Sequence, residues 1–137
     1  MRLNISNGDR RVALEHFKKQ VLLLHSEQST LDNLSAGFND RYTVHCATSG
    51  SEAIRLFTEH QSTIRVVLLD MSMPVLSGIE TMDELRRLAP GLKVILSSGH
   101  TEAQARAKVD GTLVDGFLKK PYGPSDLIDC VDSVLNG

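Results

Sequence analysis

The sequence predicts an α/β fold: one parallel sheet of five strands, doubly wound, with helices on both faces. Two observations carry this. Five short runs rich in aliphatic and β-branched residues recur along the 137-residue chain, and segments of helical length separate them. The runs are continuously apolar rather than alternating, the pattern of strands covered on both faces. Repeated strand–helix alternation of this kind builds a parallel sheet through right-handed crossovers.

The runs are VLLL (21–24), YTVHCA (42–47), VVLLD (66–70), KVILS (93–97) and the weaker DGFLK (115–119). Three of the intervening segments open with a hydroxyl three residues before Glu or Gln: Ser49 with Glu52, Ser77 with Glu80, and Thr101 with Gln104. In such a box the hydroxyl accepts from a first-turn amide while the longer side chain reaches back, so each hydroxyl is predicted to start a helix. Apolar stripes follow at helical spacing. Ala53, Leu56 and Phe57 mark the second helix, and Ile79, Met82, Leu85 and Leu88 the third, which stops before Pro90-Gly91. The last helix starts at Gly123-Pro124, where proline is tolerated, and turns Leu127, Val131 and Val134 inward. Residues 1–19 fall outside the alternation and read as an N-terminal extension or linker, leaving 20–136 as the domain.

Composition narrows the function. A formal net charge of −2 argues against a broad electrostatic footprint for nucleic acid. The two cysteines, Cys46 and Cys130, form no C-x-x-C pair and read as packed, reduced thiols. The longest apolar runs are too short to span a bilayer, and the opening residues lack a signal-peptide pattern. A cytoplasmic protein without membrane insertion is the expectation. Neither G-x-G-x-x-G nor a P-loop occurs, which argues against a dinucleotide-binding or P-loop protein.

In open parallel sheets the functional crevice lies beyond the carboxyl ends of the strands. There the first strand delivers His25, Ser26 and Glu27, the third Asp70, the fourth Ser97 and Ser98, and the fifth Lys119 and Lys120. A carboxylate, a hydroxyl and an ammonium can therefore converge on one edge. Consecutive strand side chains alternate faces, so Lys119 is expected to point away from Lys120.

Three segments, DMSMPVLSG (70–78), VILSSG (94–99) and GFLKKP (116–121), together resemble the receiver domain of two-component response regulators. The match runs over roughly residues 20–136 and implies the flavodoxin-like, receiver-type version of the fold. It further implies that the chain is a signalling module and not an enzyme. Its phosphoacceptor would be Asp70, taking a phosphoryl group from phosphohistidine on a histidine kinase or histidine phosphotransfer protein and switching a downstream protein partner. By the same resemblance Lys120 is the lysine that pairs with the acceptor, Ser97 the hydroxyl that follows the phosphoryl group, and Phe117 the coupled aromatic switch. A cis Lys120–Pro121 bond is implied as well. The Ser98-Gly99-His100 ending is similar to that of receivers fused to histidine kinases, which brings a hybrid kinase phosphorelay into the reading.

One departure stands out. Receivers usually follow the first strand with two adjacent acids that bind Mg²⁺, and here those places hold His25 and Ser26. Magnesium takes oxygen ligands in a near-octahedral array. Asp70 and the Ser72 backbone carbonyl would supply two, with Glu27 or the Ser26 hydroxyl as further candidates. His25, a nitrogen ligand without a histidine partner at i+3 or i+4, reads as a hydrogen-bonded crevice residue. Mg²⁺ affinity is therefore expected to be low. The alternative is a metal-deficient pseudo-receiver that binds partners constitutively. An aspartyl-phosphate phosphatase is disfavoured, because Ser72 stands where that chemistry needs a second Asp.

Overall fold

The computed structural model describes residues 20–136 apart from Ser26, 39–41, Ser62, 72–74 and 110–113. The proposed extension, residues 1–19, lies outside the described residues. The elements run β1 (Gln20–Leu24), α1 (Gln28–Ala36), β2 (Thr43–Ala47), α2 (Gly50–Glu59), β3 (Ile64–Asp70), α3 (Val75–Leu88), β4 (Lys93–Ser98), α4 (Glu102–Lys108), β5 (Gly116–Lys119) and α5 (Pro124–Asn136). The five strands form one sheet in the order β2-β1-β3-β4-β5, and every neighbouring pair is parallel. The predicted doubly wound architecture is the one observed.

Two apolar layers explain why the strands are not amphipathic. Along β1, Leu22 and Leu24 pack with Phe57, Met82 and Leu85 of α2 and α3. Val21 and Leu23, pointing the opposite way, pack with Leu31 and Leu34 of α1 and Leu127 and Val131 of α5. The period of two thus sends successive residues to different but equally dry faces. Each stripe read from the sequence faces its layer: Ala53 and Phe57 in α2, Met82 and Leu85 in α3, Leu127 and Val131 in α5 are buried.

Helix starts match the sequence reading in two cases of three. Thr101 heads α4 with both halves of its capping box made. Ser49 caps α2 through the Glu52 amide, but the Glu52 carboxylate reaches the amide of Thr48 instead of the cap's own. The third box is corrected. Helix α3 begins at Val75, so Ser77 lies inside its first turn and does not head the helix. Val75 directly follows Pro74 in the sequence, and a proline there is the stronger start signal. Asp115 also stands just before β5 and not within it. Its carboxylate accepts from the Val94 amide at 2.8 Å and from Arg86 at 3.1 Å, pinning the strand's entry to β4.

Candidate functional site

The strand tips converge as the parallel register requires. Asp70, the last residue of β3, pairs laterally with Ser97 of β4. Past the strand ends the backbone is still tied: Met71 N–H donates to the Ser97 carbonyl, and Lys120 N–H to the Ser98 carbonyl, each at 2.8 Å. On the other side of β3, His25 follows β1 directly, and its N–H donates to the Ala47 carbonyl at 3.1 Å. Three side chains from three strand ends are thereby delivered to one point.

At that point sits Asp70, 1% exposed. Lys120 Nζ lies 2.6 Å from Oδ1, and His25 Nε2 lies 2.8 Å from Oδ2. The lysine is partly open to solvent, with a side chain 32% exposed, whereas that of His25 is 6% exposed. The other imidazole nitrogen, Nδ1, accepts from the Glu27 N–H at 3.0 Å. A nitrogen that accepts carries no proton, so the ring proton is on Nε2, and Nε2 donates to Asp70. Both carboxylate oxygens thus hold an N–H donor, one ammonium and one imidazole.

Ser97 is fully buried, and its hydroxyl donates to Tyr122 Oη at 3.1 Å. Burial pushes the Tyr122 phenol up, the Ser97 hydrogen bond pulls it the other way, and the charge of nearby Asp70 raises it further. Phe117 is partly buried against the α2–α3 layer. Lys119 is exposed, in keeping with the alternation that separates it from Lys120. The Lys120–Pro121 peptide is cis. His25, Glu27, Thr30, Lys120 and Tyr122 line a cleft of about 350 Å³ at the start of α1.

The candidate metal ligands are less well gathered. Ser26 and Ser72 lie outside the described residues. Glu27 is exposed, and it serves the site through its backbone N–H rather than its carboxylate. Among the described residues, no group of three or more His, Cys, Asp or Glu side chains is placed to hold a metal ion. Cys46 and Cys130 are free and half-buried, and burial raises the pKa of each.

Sequence reasoning named Asp70, Lys120 and Ser97, but it missed two contacts. It placed His25 in the crevice without pairing it to Asp70, and it did not single out Tyr122. The signal for Tyr122 was its place, directly after Lys120-Pro121 at the same sheet edge. Nothing in the sequence showed which way the imidazole turns.

The model of the response regulator receiver domain matches residues 21–132. The chain belongs to the response regulator receiver family. This receiver is 32% identical over 116 residues to the sensor kinase CckA of Brucella abortus, covering 84% of the chain and 12% of that kinase. It is 32% identical over 91 residues to the response regulator UvrY of Escherichia coli, covering 66% of the chain and 41% of that regulator. The receiver therefore spans well under half the length of either relative. Among solved structures, a response regulator receiver domain protein from Clostridium thermocellum superposes with a TM-score of 0.75 at 29% identity, covering 86% of this chain and 94% of that one. Receivers are modules of two-component signalling rather than classical enzymes, and they generally bind Mg²⁺ for phosphorylation. Among the described residues of this receiver, no helix is long and apolar enough to cross a membrane.

Proposed function

We propose that this receiver accepts a phosphoryl group on Asp70 from phosphohistidine on a histidine kinase or histidine phosphotransfer protein, and that the modification switches a protein partner. The observation that carries the reading is the 2.6 Å contact between Lys120 Nζ and Asp70 Oδ1 at the carboxyl edge of the sheet. A carboxylate is a competent nucleophile toward phosphorus and gives an acyl phosphate. Transfer spreads negative charge over the equatorial oxygens, so a cation already positioned at the acceptor is worth more than one recruited later. Lys120, partly exposed on a flexible stem, can follow that charge. Ser97, on the neighbouring strand, supplies a hydroxyl once it leaves Tyr122, and Phe117 is the aromatic that would respond. The cleft is lined by His25 and Lys120, the two residues that cover the buried Asp70 carboxylate, so a donor imidazole docked there reaches Asp70 once Lys120 swings aside. Cytoplasmic action, within a two-component or hybrid kinase phosphorelay, completes the reading.

A second reading would turn on one observation, the engagement of both Asp70 oxygens by N–H donors. A carboxylate so held could serve as a structural strut in a pseudo-receiver that binds partners constitutively.

Acetyl phosphate separates the two. Intact mass, read on cold neutral samples after incubation with and without divalent ions, is expected to show one phosphoryl increment that Asp70→Asn abolishes. Labelling that persists in Asp70→Asn would move the acceptor elsewhere. No increment under any condition would leave the pseudo-receiver reading.

A further inference from the structure

The acids that pair with a metal in other receivers are replaced here by His25 and Ser26, and the geometry around Asp70 shows what the replacement does. His25 Nε2–H donates to Oδ2 at 2.8 Å, so the ring stands on the carboxylate oxygen opposite the one that Lys120 holds. Nor is the ring free to leave. Its Nδ1 accepts from the Glu27 amide, its own backbone N–H is tied to Ala47, and the residue is 5% exposed.

Among the described residues, the donor set does not fit magnesium. Mg²⁺ demands oxygen ligands and binds through carboxylates. Both nitrogens of His25 are already committed, and the Glu27 residue is exposed. An entering ion would have to share Oδ2 with the His25 N–H and would face the Lys120 ammonium across the same buried carboxylate. Charge arithmetic points the same way. Two acids and a divalent ion sum to zero, and so do a neutral imidazole and a serine with no ion. In both cases Lys120 and Asp70 remain to balance each other. Losing the acids removes the charge that would hold the metal.

We propose that phosphoryl transfer to Asp70 in this receiver needs no divalent cation, because the His25 Nε2–H holds the carboxylate oxygen that a metal would otherwise hold. The inference rests on Asp70 being the acceptor. Oδ1 attacks phosphorus and forms the O–P bond as the P–N bond to the donor imidazole breaks. The electron pair stays on the donor nitrogen, which takes a proton from water. Oδ2 becomes the acyl carbonyl oxygen and keeps its hydrogen bond from His25. Lys120, displaced from Oδ1, moves onto a phosphoryl oxygen. His25 is assigned to Oδ2 in both states because it is held at three points, whereas the lysine is not.

The test uses acetyl phosphate and phosphoramidate as donors, in EDTA and in excess Mg²⁺, with the phosphoryl increment followed by intact mass. The wild-type chain is expected to label at the same rate in both, and calorimetric titration with MgCl₂ to show no saturable binding. His25→Ala is expected to slow labelling in EDTA roughly 10- to 100-fold, the loss of one hydrogen bond to a charged group. His25→Gln, whose amide nitrogen reaches the same oxygen, restores most of it. The His25→Asp/Ser26→Asp double variant is expected to bind Mg²⁺ and to label only with it. Labelling of the wild type confined to Mg²⁺ would overturn the metal-free inference and leave Asp70 as acceptor. Undiminished labelling of His25→Ala in EDTA would overturn the role of the imidazole. Failure to label in every condition, the double variant with Mg²⁺ included, would overturn the acceptor reading itself. The comparison of EDTA with Mg²⁺ and the calorimetry need no variant, so misfolding of His25→Ala does not rescue the inference.

Discussion

Ser97 and Tyr122 are joined hydroxyl to hydroxyl at 3.1 Å, the serine donating from the tip of β4 to a phenol on the loop that leads into α5. In the proposed function that serine proton turns to the phosphoryl group, so the tyrosine is a competitor for it. A typical intramolecular hydrogen bond contributes about 0.5–1.5 kcal/mol net, or roughly a 2- to 10-fold change in an equilibrium. Tyr122→Phe removes the competitor and is expected to raise the labelled fraction of Asp70 at limiting acetyl phosphate by that factor. Intact mass reads it. Labelling equal to wild type would mean that Ser97 keeps no exchange between the two partners.

Lys120 and Asp70 should be coupled in stability as well as in chemistry. Lys120→Met leaves a buried carboxylate with its ammonium gone, and a hydrogen bond to a charged group is worth about 1.5–3 kcal/mol. The His25 donor remains, and part of the lysine is solvated, so a loss near the lower end, about 1–2 kcal/mol, is expected. In an Asp70→Asn background the same substitution should cost clearly less, because no charge is stranded. Urea unfolding of the four chains closes this cycle. Equal costs in both backgrounds would show that the contact carries no coupling energy.

Acid should weaken the fold through His45. Its ring stacks on His60 with centroids 4.2 Å apart, and Nε2 meets Gln20 Oε1 at 2.7 Å. Burial first, then the neighbouring His60, lower its pKa, while Glu59 opposes them. A folded value below the unfolded one means that the unfolded chain takes up the proton first as pH falls. The contribution is therefore fully present above about pH 6.5 and is lost as pH falls through the folded value. His45→Gln, which cannot titrate, is expected to flatten the dependence of the urea midpoint between about pH 7 and pH 5. A slope identical to that of the wild type would assign the effect to other groups.

Gly37, just after α1, is a packing position. A Cβ built there would come within 2.2 Å of Pro124 Cβ at the start of α5. The proline ring cannot rotate aside, so one of the two helix ends must shift. Gly37→Ala is expected to lower stability by about 1–3 kcal/mol, the usual cost of overpacking. A thermal melt at the wild-type temperature would show that the α1–α5 junction yields freely.

Much of this molecule is legible from local pattern. The runs that became β1, β3 and β4 are apolar through their middles, at 21–24, 66–69 and 94–96, because side chains on either face there meet an apolar layer. Thr101 and Gln104 announce α4 within four residues, since a capping box is made by the residues that spell it. The apolar runs likewise placed Asp70, Ser97 and Lys120 at strand ends, and parallel register is enough to bring those ends to one edge. Ser77 misled because a hydroxyl–glutamate spacing can occur inside a helix, and only the chain's course after Pro74 distinguishes the two.

By itself, then, the sequence determined the alternation of elements, the two-sided burial of the sheet and the identity of the residues at its carboxyl edge. These follow from periodicity and short-range hydrogen bonding, which depend on neighbours in the chain. Which donors close on Asp70 was decided by the tertiary structure. The imidazole of His25 reaches Oδ2 only because β1 lies beside β3 and because the Glu27 amide fixes which ring nitrogen carries the proton. Tyr122 takes the Ser97 hydroxyl only because the loop beyond Lys120 folds over the tip of β4. Such contacts join groups tens of residues apart through particular rotamers and tautomers, and no periodic pattern in a sequence encodes the direction in which a side chain points.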